Sequence, residues 1–264
     1  MTKKQQRIEL LIDVFEQPQQ RAQVLPQTTP LELIDSILQE FRELEYLGSR
    51  PEHYELRRTD GFDLVEEQPL QDQVTSGAHL IFAERERPLP AGAARPQHAV
   101  YLREPLGRRV FKLHWLPAIV GRSAAAGGNK VEGNKVEGDK AEGGEFLAVN
   151  LGAHANGLRV SRRHAEIVAA GRGYAIRSLA DNPTFLRRNL LTIEVKQEPQ
   201  PLQDGDVIVL ERSHIELKFI VRSATNGGPA EAADEAQADA DAEDEHDVLE
   251  AAFDSAELNS AEGE

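Results

Sequence analysis

The sequence predicts an α+β unit, then an all-β sandwich, then an acidic disordered tail. Three observations carry that expectation. Before residue 86 one capped, amphipathic helix stands among short strands. From residue 98 short apolar runs recur between Gly, Pro, Asn and Asp turn signals, about every 8–12 residues, which is the texture of a β-sandwich. Between the two, Arg87-Pro88-Leu89-Pro90-Ala91-Gly92-Ala93-Ala94-Arg95-Pro96 is proline-rich and aperiodic, the composition of a linker. The expected boundaries are 6–86, 87–97, 98–222 and 223–264.

Composition narrows the class. The chain has 264 residues, 40% hydrophobic and 28% charged, enough for one large or two small cores. It has no cysteine, which excludes disulfides and thiolate metal sites and makes a reducing cytosol the default compartment. Met1 to Gln6 lead into an alternating segment rather than a secretory apolar run, and no window reaches the ~18 apolar residues of a membrane span. A cytoplasmic protein with no membrane partner is expected. The net charge is −15, but fourteen Asp or Glu and no Lys or Arg lie between residues 231 and 264, leaving −1 for everything before them. The folded part is near neutral, without the basic domain of a nucleic-acid binder.

In the first unit, Ile8 to Phe15 reads as a strand and Arg21 to Leu25 as its hairpin partner. Thr29 is a good N-cap, Pro30 suits the first helical position and Glu32 completes a capping box. Leu31, Ile34, Ile37, Leu38, Phe41, Leu44 and Leu47 follow at three- and four-residue steps as one apolar face, and Gly48 ends the helix. Tyr54-Glu55-Leu56 and His79-Leu80-Ile81-Phe82 are further strands, separated by turns at Asp60-Gly61 and Ser76-Gly77. This order, closed by Pro69-Leu70-Gln71-Asp72-Gln73-Val74, resembles the ubiquitin-like family, whose fold is the β-grasp. It is most similar to small bacterial ubiquitin-like domains that accompany some secretion systems. No free Gly-Gly terminus is present, so conjugation is not implied.

From Ala99 the pattern is all-β. Ala99 to Leu102 and Arg109 to Leu113 flank a hairpin at Pro105-Leu106-Gly107, and Leu116 to Val120 runs into Gly121-Arg122-Ser123. Residues 127–144 are a low-complexity insertion containing a five-residue repeat, Asn129-Lys130-Val131-Glu132-Gly133, repeated at 134–138 and, with Asp139 and Ala141 changed, at 139–143. It has no apolar face to bury and reads as a surface loop. Asn134 separates Gly133 from Lys135, so the Gly-Lys-Ser/Thr run of a nucleotide loop is missing. Phe146 to Leu151, Tyr174 to Ile176, Val207 to Leu210 and Ile215 to Val221 continue the strands.

Val160-Ser161-Arg162-Arg163-His164 gathers a hydroxyl, two guanidiniums and an imidazole at the mouth of a strand. Arg offers a planar fork that matches phosphate oxygens, and Ser adds a neutral donor. With Gly121-Arg122 before it, and Asn182-Pro183-Thr184 and Leu202-Gln203-Asp204-Gly205-Asp206-Val207-Ile208 after it, the set resembles the forkhead-associated (FHA) family. That resemblance implies a sandwich that binds phosphothreonine peptides through loops at one end.

It also implies roles. Arg122 would reach peptide and phosphate, Ser161 and Arg162 would bind phosphate oxygens, and Asn182 would hydrogen-bond the peptide main chain. Thr184 would shape that loop, and Arg163 would be solvated or tune specificity. Gly121 and His164 match structural positions, and Asp204-Gly205-Asp206 a distant turn. A phosphothreonine carries nearly two charges and three acceptor oxygens, which a convergent Arg and hydroxyl set can hold. Three departures stand out: the repeats after Arg122-Ser123, Pro183 where glycine is common, and Arg187-Arg188 where Asn-Gly is frequent, adding positive charge near the site.

The function expected is a phosphothreonine-binding adaptor in Ser/Thr kinase signalling, its partners a kinase or its substrates and an unknown partner of the ubiquitin-like unit. The alternative is a phosphate-independent scaffold, linked to a secretion system through that unit. Catalysis is not expected, because Ser161 and His164 lack a nucleophile elbow and a third partner. The histidines show no metal spacing, and neither metal nor cofactor is expected. In the tail, Val248-Leu249, Phe253 and Leu258 recur near helical spacing, and its charge suits screening of the arginine-rich loops.

Overall fold

Thr29 starts the one α-helix among the described residues, which in this computed structural model are 7–123 and 147–222. The repeats at 129–143 and the acidic tail lie outside them. The Thr29 hydroxyl accepts the Glu32 N–H at 3.3 Å and the Glu32 carboxylate accepts the Thr29 N–H at 2.9 Å, so the capping box forms in both directions. Helix α1 runs Pro30–Glu40 and ends eight residues before the expected stop at Gly48, with Phe41 as its C-cap. Leu44 and Leu47 then continue through tight turns, each N–H bonding the carbonyl three residues back, and so reach the core without a helix. The apolar face is rotated from expectation: Leu31 is 40% exposed, and Pro30 and Leu33 are buried with Ile34, Ile37 and Leu38.

That face packs on a four-stranded sheet of β1 (Ile8–Val14), β2 (Gln17–Val24), β3 (Tyr54–Arg58) and β4 (Ala78–Glu84), in the order β2-β1-β4-β3. The pair β1–β4 is parallel and the other two are antiparallel. The β1–β2 hairpin is longer than expected, because its turn is the two residues Phe15 and Glu16, and the second strand starts at Gln17 rather than Arg21. Phe15 holds φ 53°, rare for a bulky side chain. Its ring meets Tyr46 and Phe82 edge-on at 5.6 and 5.5 Å.

Eleven strands make the rest of the described residues. One sheet contains β5 (Ala99–Arg103), β6 (Val110–Lys112), β11 (Thr184–Arg188), β12 (Leu191–Val195), β14 (Val207–Leu210) and β15 (Ile215–Arg222), in the order β12-β11-β14-β15-β5-β6. The other contains β7 (Ala118–Gly121), β8 (Leu147–Asn150), β9 (Ala165–Ala170), β10 (Gly173–Ser178) and β13 (Gln200–Leu202), in the order β13-β10-β9-β7-β8. Val100, Leu102, Leu217 and Phe219 from the first share one core with Val120, Ile167, Tyr174 and Ile176 from the second, which makes a β-sandwich.

Strand alternation puts Tyr101 and its partner Ile220 on the outer face of the first sheet, yet they are 0% and 7% exposed. Residues of β4 and of the turns after α1 cover that face. Tyr46 lies 5.7 Å from the Tyr101 ring, and the Tyr101 hydroxyl donates to Glu84 at 3.0 Å. Arg103 reaches Glu45 at 3.0 Å and Lys112 reaches Glu84 at 2.9 Å. The proline-rich stretch between them lies against the sandwich: Ala94 and Leu116 exchange two backbone hydrogen bonds, and Ala93 packs on the core.

Candidate functional site

The strand registers bring several connections to one end of the sandwich. Val120 pairs with Ala165, Ala165 with Ser178, Thr184 with Leu210, and Leu210 with Ile215. The end of β7, the loop before β9, the loop 179–183 and the turn 211–214 therefore meet at one apex. Single 3-10 turns at Gly157–Arg159 and Glu211–Ser213 lie side by side there.

Backbone contact sets the floor. The Arg122 N–H reaches the Arg162 carbonyl at 3.3 Å and the His164 N–H reaches the Val120 carbonyl at 2.9 Å. At Gly121 the approach leaves no room for a side chain, since a Cβ would stand 2.0 Å from the Arg162 oxygen. His164 is 1% exposed, and burial pushes its pKa down to about 4. The ring is thus neutral at pH 7, and its Nδ1 accepts the Ser161 N–H at 3.3 Å.

Above this floor the side chains converge. The Arg122 Nε donates to the Val160 carbonyl at 2.8 Å, which lays the guanidinium across the loop. The Asn182 Nδ2 donates to the Ser161 hydroxyl at 2.9 Å and stands 3.5 Å from the Arg159 carbonyl. Arg122, Ser161 and Asn182 line one open depression of about 530 Å³, joined by Leu158, Arg159 and Arg212. Three arginines with a hydroxyl and an amide among them suit an anion carried on an extended chain.

The remaining predicted residues are placed differently. Arg162 is exposed beside Ser161 and Arg163 is half-buried, and neither side chain lines the depression. Thr184 is fully buried at the start of β11, so its hydroxyl does not face a ligand. Arg187 and Arg188 add no charge to the apex. They sit at the opposite end of β11, where Arg187 pairs with Glu216 at 2.7 Å and Arg188 forks onto Asp206 at 2.6 and 2.7 Å. Asp206 is 1% exposed and also accepts the Gln203 N–H at 2.7 Å, closing a turn in which Gly205 has φ +86°. Asp204 accepts the Val221 N–H at 2.8 Å, so the Asp204-Gly205-Asp206 turn is tied to β15 far from the depression.

Leu158, Arg159 and Arg212 were not expected at the site. Arg159 stands two residues before Ser161, a proximity that could have drawn notice. Arg212 carries no local signal and arrives only because β14 ends at the apex. Among the described residues no group of three or more His, Asp or Glu could hold a metal, and no helix is long and apolar enough to cross a membrane.

Comparison with known proteins finds one family model that matches part of the sandwich. The model described as "FHA domain" matches residues 149–211, so Ser161, Asn182 and Asp204–Asp206 lie inside the match, and Gly121, Arg122 and Arg212 outside it. No curated protein matches the chain. Among solved structures, Mycobacterium tuberculosis EmbR in complex with a low affinity phosphopeptide is 24% identical with TM-score 0.33, covering 49% of this chain and 26% of that one. The FHA domain of human APLF in complex with an XRCC1 bisphospho peptide is 19% identical with TM-score 0.30, covering 46% and 97%. The FHA domain of an Arabidopsis thaliana hypothetical protein is 18% identical with TM-score 0.32, covering 53% and 100%.

Proposed function

We propose, from the match of residues 149–211 to the FHA domain model, that this chain is a phosphothreonine-peptide-binding adaptor, which reads proteins marked by a Ser/Thr kinase in the cytoplasm. The observation that supports this best is the convergence of Arg122, Ser161 and Asn182, from three separate connections, on one depression. Charge from Arg122 would hold the phosphate with the Ser161 hydroxyl, Arg162 next to Ser161 would add positive charge from outside the depression, and Asn182 would hold the peptide main chain.

The N-terminal sheet and helix form a second unit with its own core. Its mixed order, with α1 on one face and β1 parallel to β4, supports a ubiquitin-like β-grasp reading for residues 6–86. We assign 98–222 to the sandwich, 87–97 to the stretch between and 223–264 to the tail. The β-grasp unit would bind a second protein while the apex holds the phosphorylated one.

The test is binding of the full chain to a phosphothreonine peptide library by fluorescence anisotropy. Binding should depend on the phosphate and fall at least about tenfold in Arg122→Ala, as expected for a charge-assisted contact. Binding that survives dephosphorylation, with Arg122→Ala unchanged, would instead establish a phosphate-independent scaffold.

A further inference from the structure

The Ser161 hydroxyl is not left to rotate. The Asn182 Nδ2 donates to it at 2.9 Å, and the same nitrogen stands 3.5 Å from the Arg159 carbonyl. A carbonyl oxygen can only accept, so the amide must turn its nitrogen, not its oxygen, to this side. Ser161 is also held from below, where its N–H donates to the buried His164 ring.

A hydroxyl has one hydrogen and two lone pairs. An N–H aimed at one lone pair leaves the hydroxyl hydrogen to be donated to a group other than Asn182, and Ser161 lines the open depression with Arg122. An anion such as phosphate offers acceptors and needs that donor. The Asn182 Oδ1 is left to accept an N–H from the ligand main chain.

We infer that Asn182 is a positioning residue for the phosphate as well as a contact for the peptide: it sets the Ser161 hydroxyl as a donor into the site. The inference rests on the phosphothreonine reading. One hydrogen bond then couples the two halves of recognition. Loss of the Asn182 amide costs the site its aligned hydroxyl, and loss of the hydroxyl removes that part of what Asn182 does.

A double-mutant cycle on the full chain tests this, with Ser161→Ala, Asn182→Ala and the double variant. Each is titrated with a phosphothreonine peptide and with free O-phosphothreonine, which has no flanking peptide. Each single change should weaken peptide binding about tenfold, and the double change only slightly more, because both remove the same aligned donor. Asn182→Ala should also weaken binding of free O-phosphothreonine. Losses that multiply to about a hundredfold, with O-phosphothreonine binding unaffected by Asn182→Ala, would show that Asn182 reads the main chain alone. If Asn182→Ala does not fold, Asn182→Leu replaces it, close in shape and without donor hydrogens or an added charge beside the phosphate. Failure of the phosphothreonine reading itself looks different: the unaltered chain would show no phosphate dependence at all.

Discussion

A methyl group on Gly121 would stand 2.0 Å from the Arg162 carbonyl oxygen, with the Arg162 carbon at 2.8 Å and the Ser161 oxygen at 3.2 Å. Those neighbours are backbone, which cannot swing aside as a side chain can. Gly121→Ala must push the β7 end away from the Ser161 loop. A loss of about 1–3 kcal/mol is expected in urea unfolding, the range for overpacking, together with weaker phosphopeptide binding. A variant as stable as the unaltered chain would show that the two segments separate freely.

Thr184 should behave in the opposite way. Its hydroxyl is buried without a hydrogen-bond partner and the residue is 0% exposed. A buried unpaired hydroxyl is a cost, so Thr184→Val, which keeps the shape, should be neutral or stabilising by up to about 1 kcal/mol. Phosphopeptide affinity should not change. A tenfold loss of affinity would mean that the hydroxyl turns to the ligand in the complex.

The buried His164 sets a pH dependence. Its pKa falls from 6.5 to about 4 on folding because burial disfavours the charged ring. The unfolded chain therefore binds the proton more readily, and the stabilisation present above pH 6.5 is lost as pH falls towards about 4. The slope contributed is about 1.4 kcal/mol per pH unit within that window. His53 and His114, also lowered by burial, steepen the curve in the same direction. The comparison that isolates His164 is His164→Gln against the unaltered chain by denaturant unfolding at several pH values. The variant should lose that share of the slope, and parallel curves would remove His164 as a titrating group.

Arg222, the last described residue of β15, joins the sandwich to the N-terminal sheet. Its guanidinium lies 3.9 Å from the centroid of Tyr46 and 4.7 Å from that of Phe15, and its Nε donates to Glu16 at 2.8 Å. Burial alone would raise the Glu16 pKa, yet hydrogen bonds from Tyr46 and Arg222 hold it below the ordinary value. Arg222→Ala removes the cation from two rings and one carboxylate, for an expected loss of about 2 kcal/mol. Limited proteolysis should then cut between residues 87 and 97 sooner. Unchanged cleavage there would show that the other interface contacts suffice.

What could be read in advance followed short-range rules. The capping box at Thr29 and Glu32 is a four-residue pattern, and it forms as read. The strands around Ile8–Val14, Tyr54–Arg58 and Val207–Leu210 follow from apolar runs bounded by turns. The short strands β12 and β13 were missed because Leu191 and Thr192 are exposed and Pro201 interrupts the alternation. Leu31 was misplaced because Leu31 and Leu33 are both apolar and two residues apart. Only packing on the sheet decides which of them turns inward, and it chose Leu33.

By itself, the sequence determined the capped helix, most of the strands, the acidic charge of the tail and the identity of several residues that the apex draws on. These depend on chemistry within a few neighbouring positions. Only the tertiary structure decided which of those residues share a depression. Strand pairing carries Arg122, Ser161, Asn182 and Arg212 to one end of the sandwich, buries Thr184 and sends Arg188 to Asp206 at the other. The physical reason is register: a strand moves a residue about 3.3 Å along and reverses its face at every step. Which side chains meet therefore depends on pairings between residues far apart in the chain.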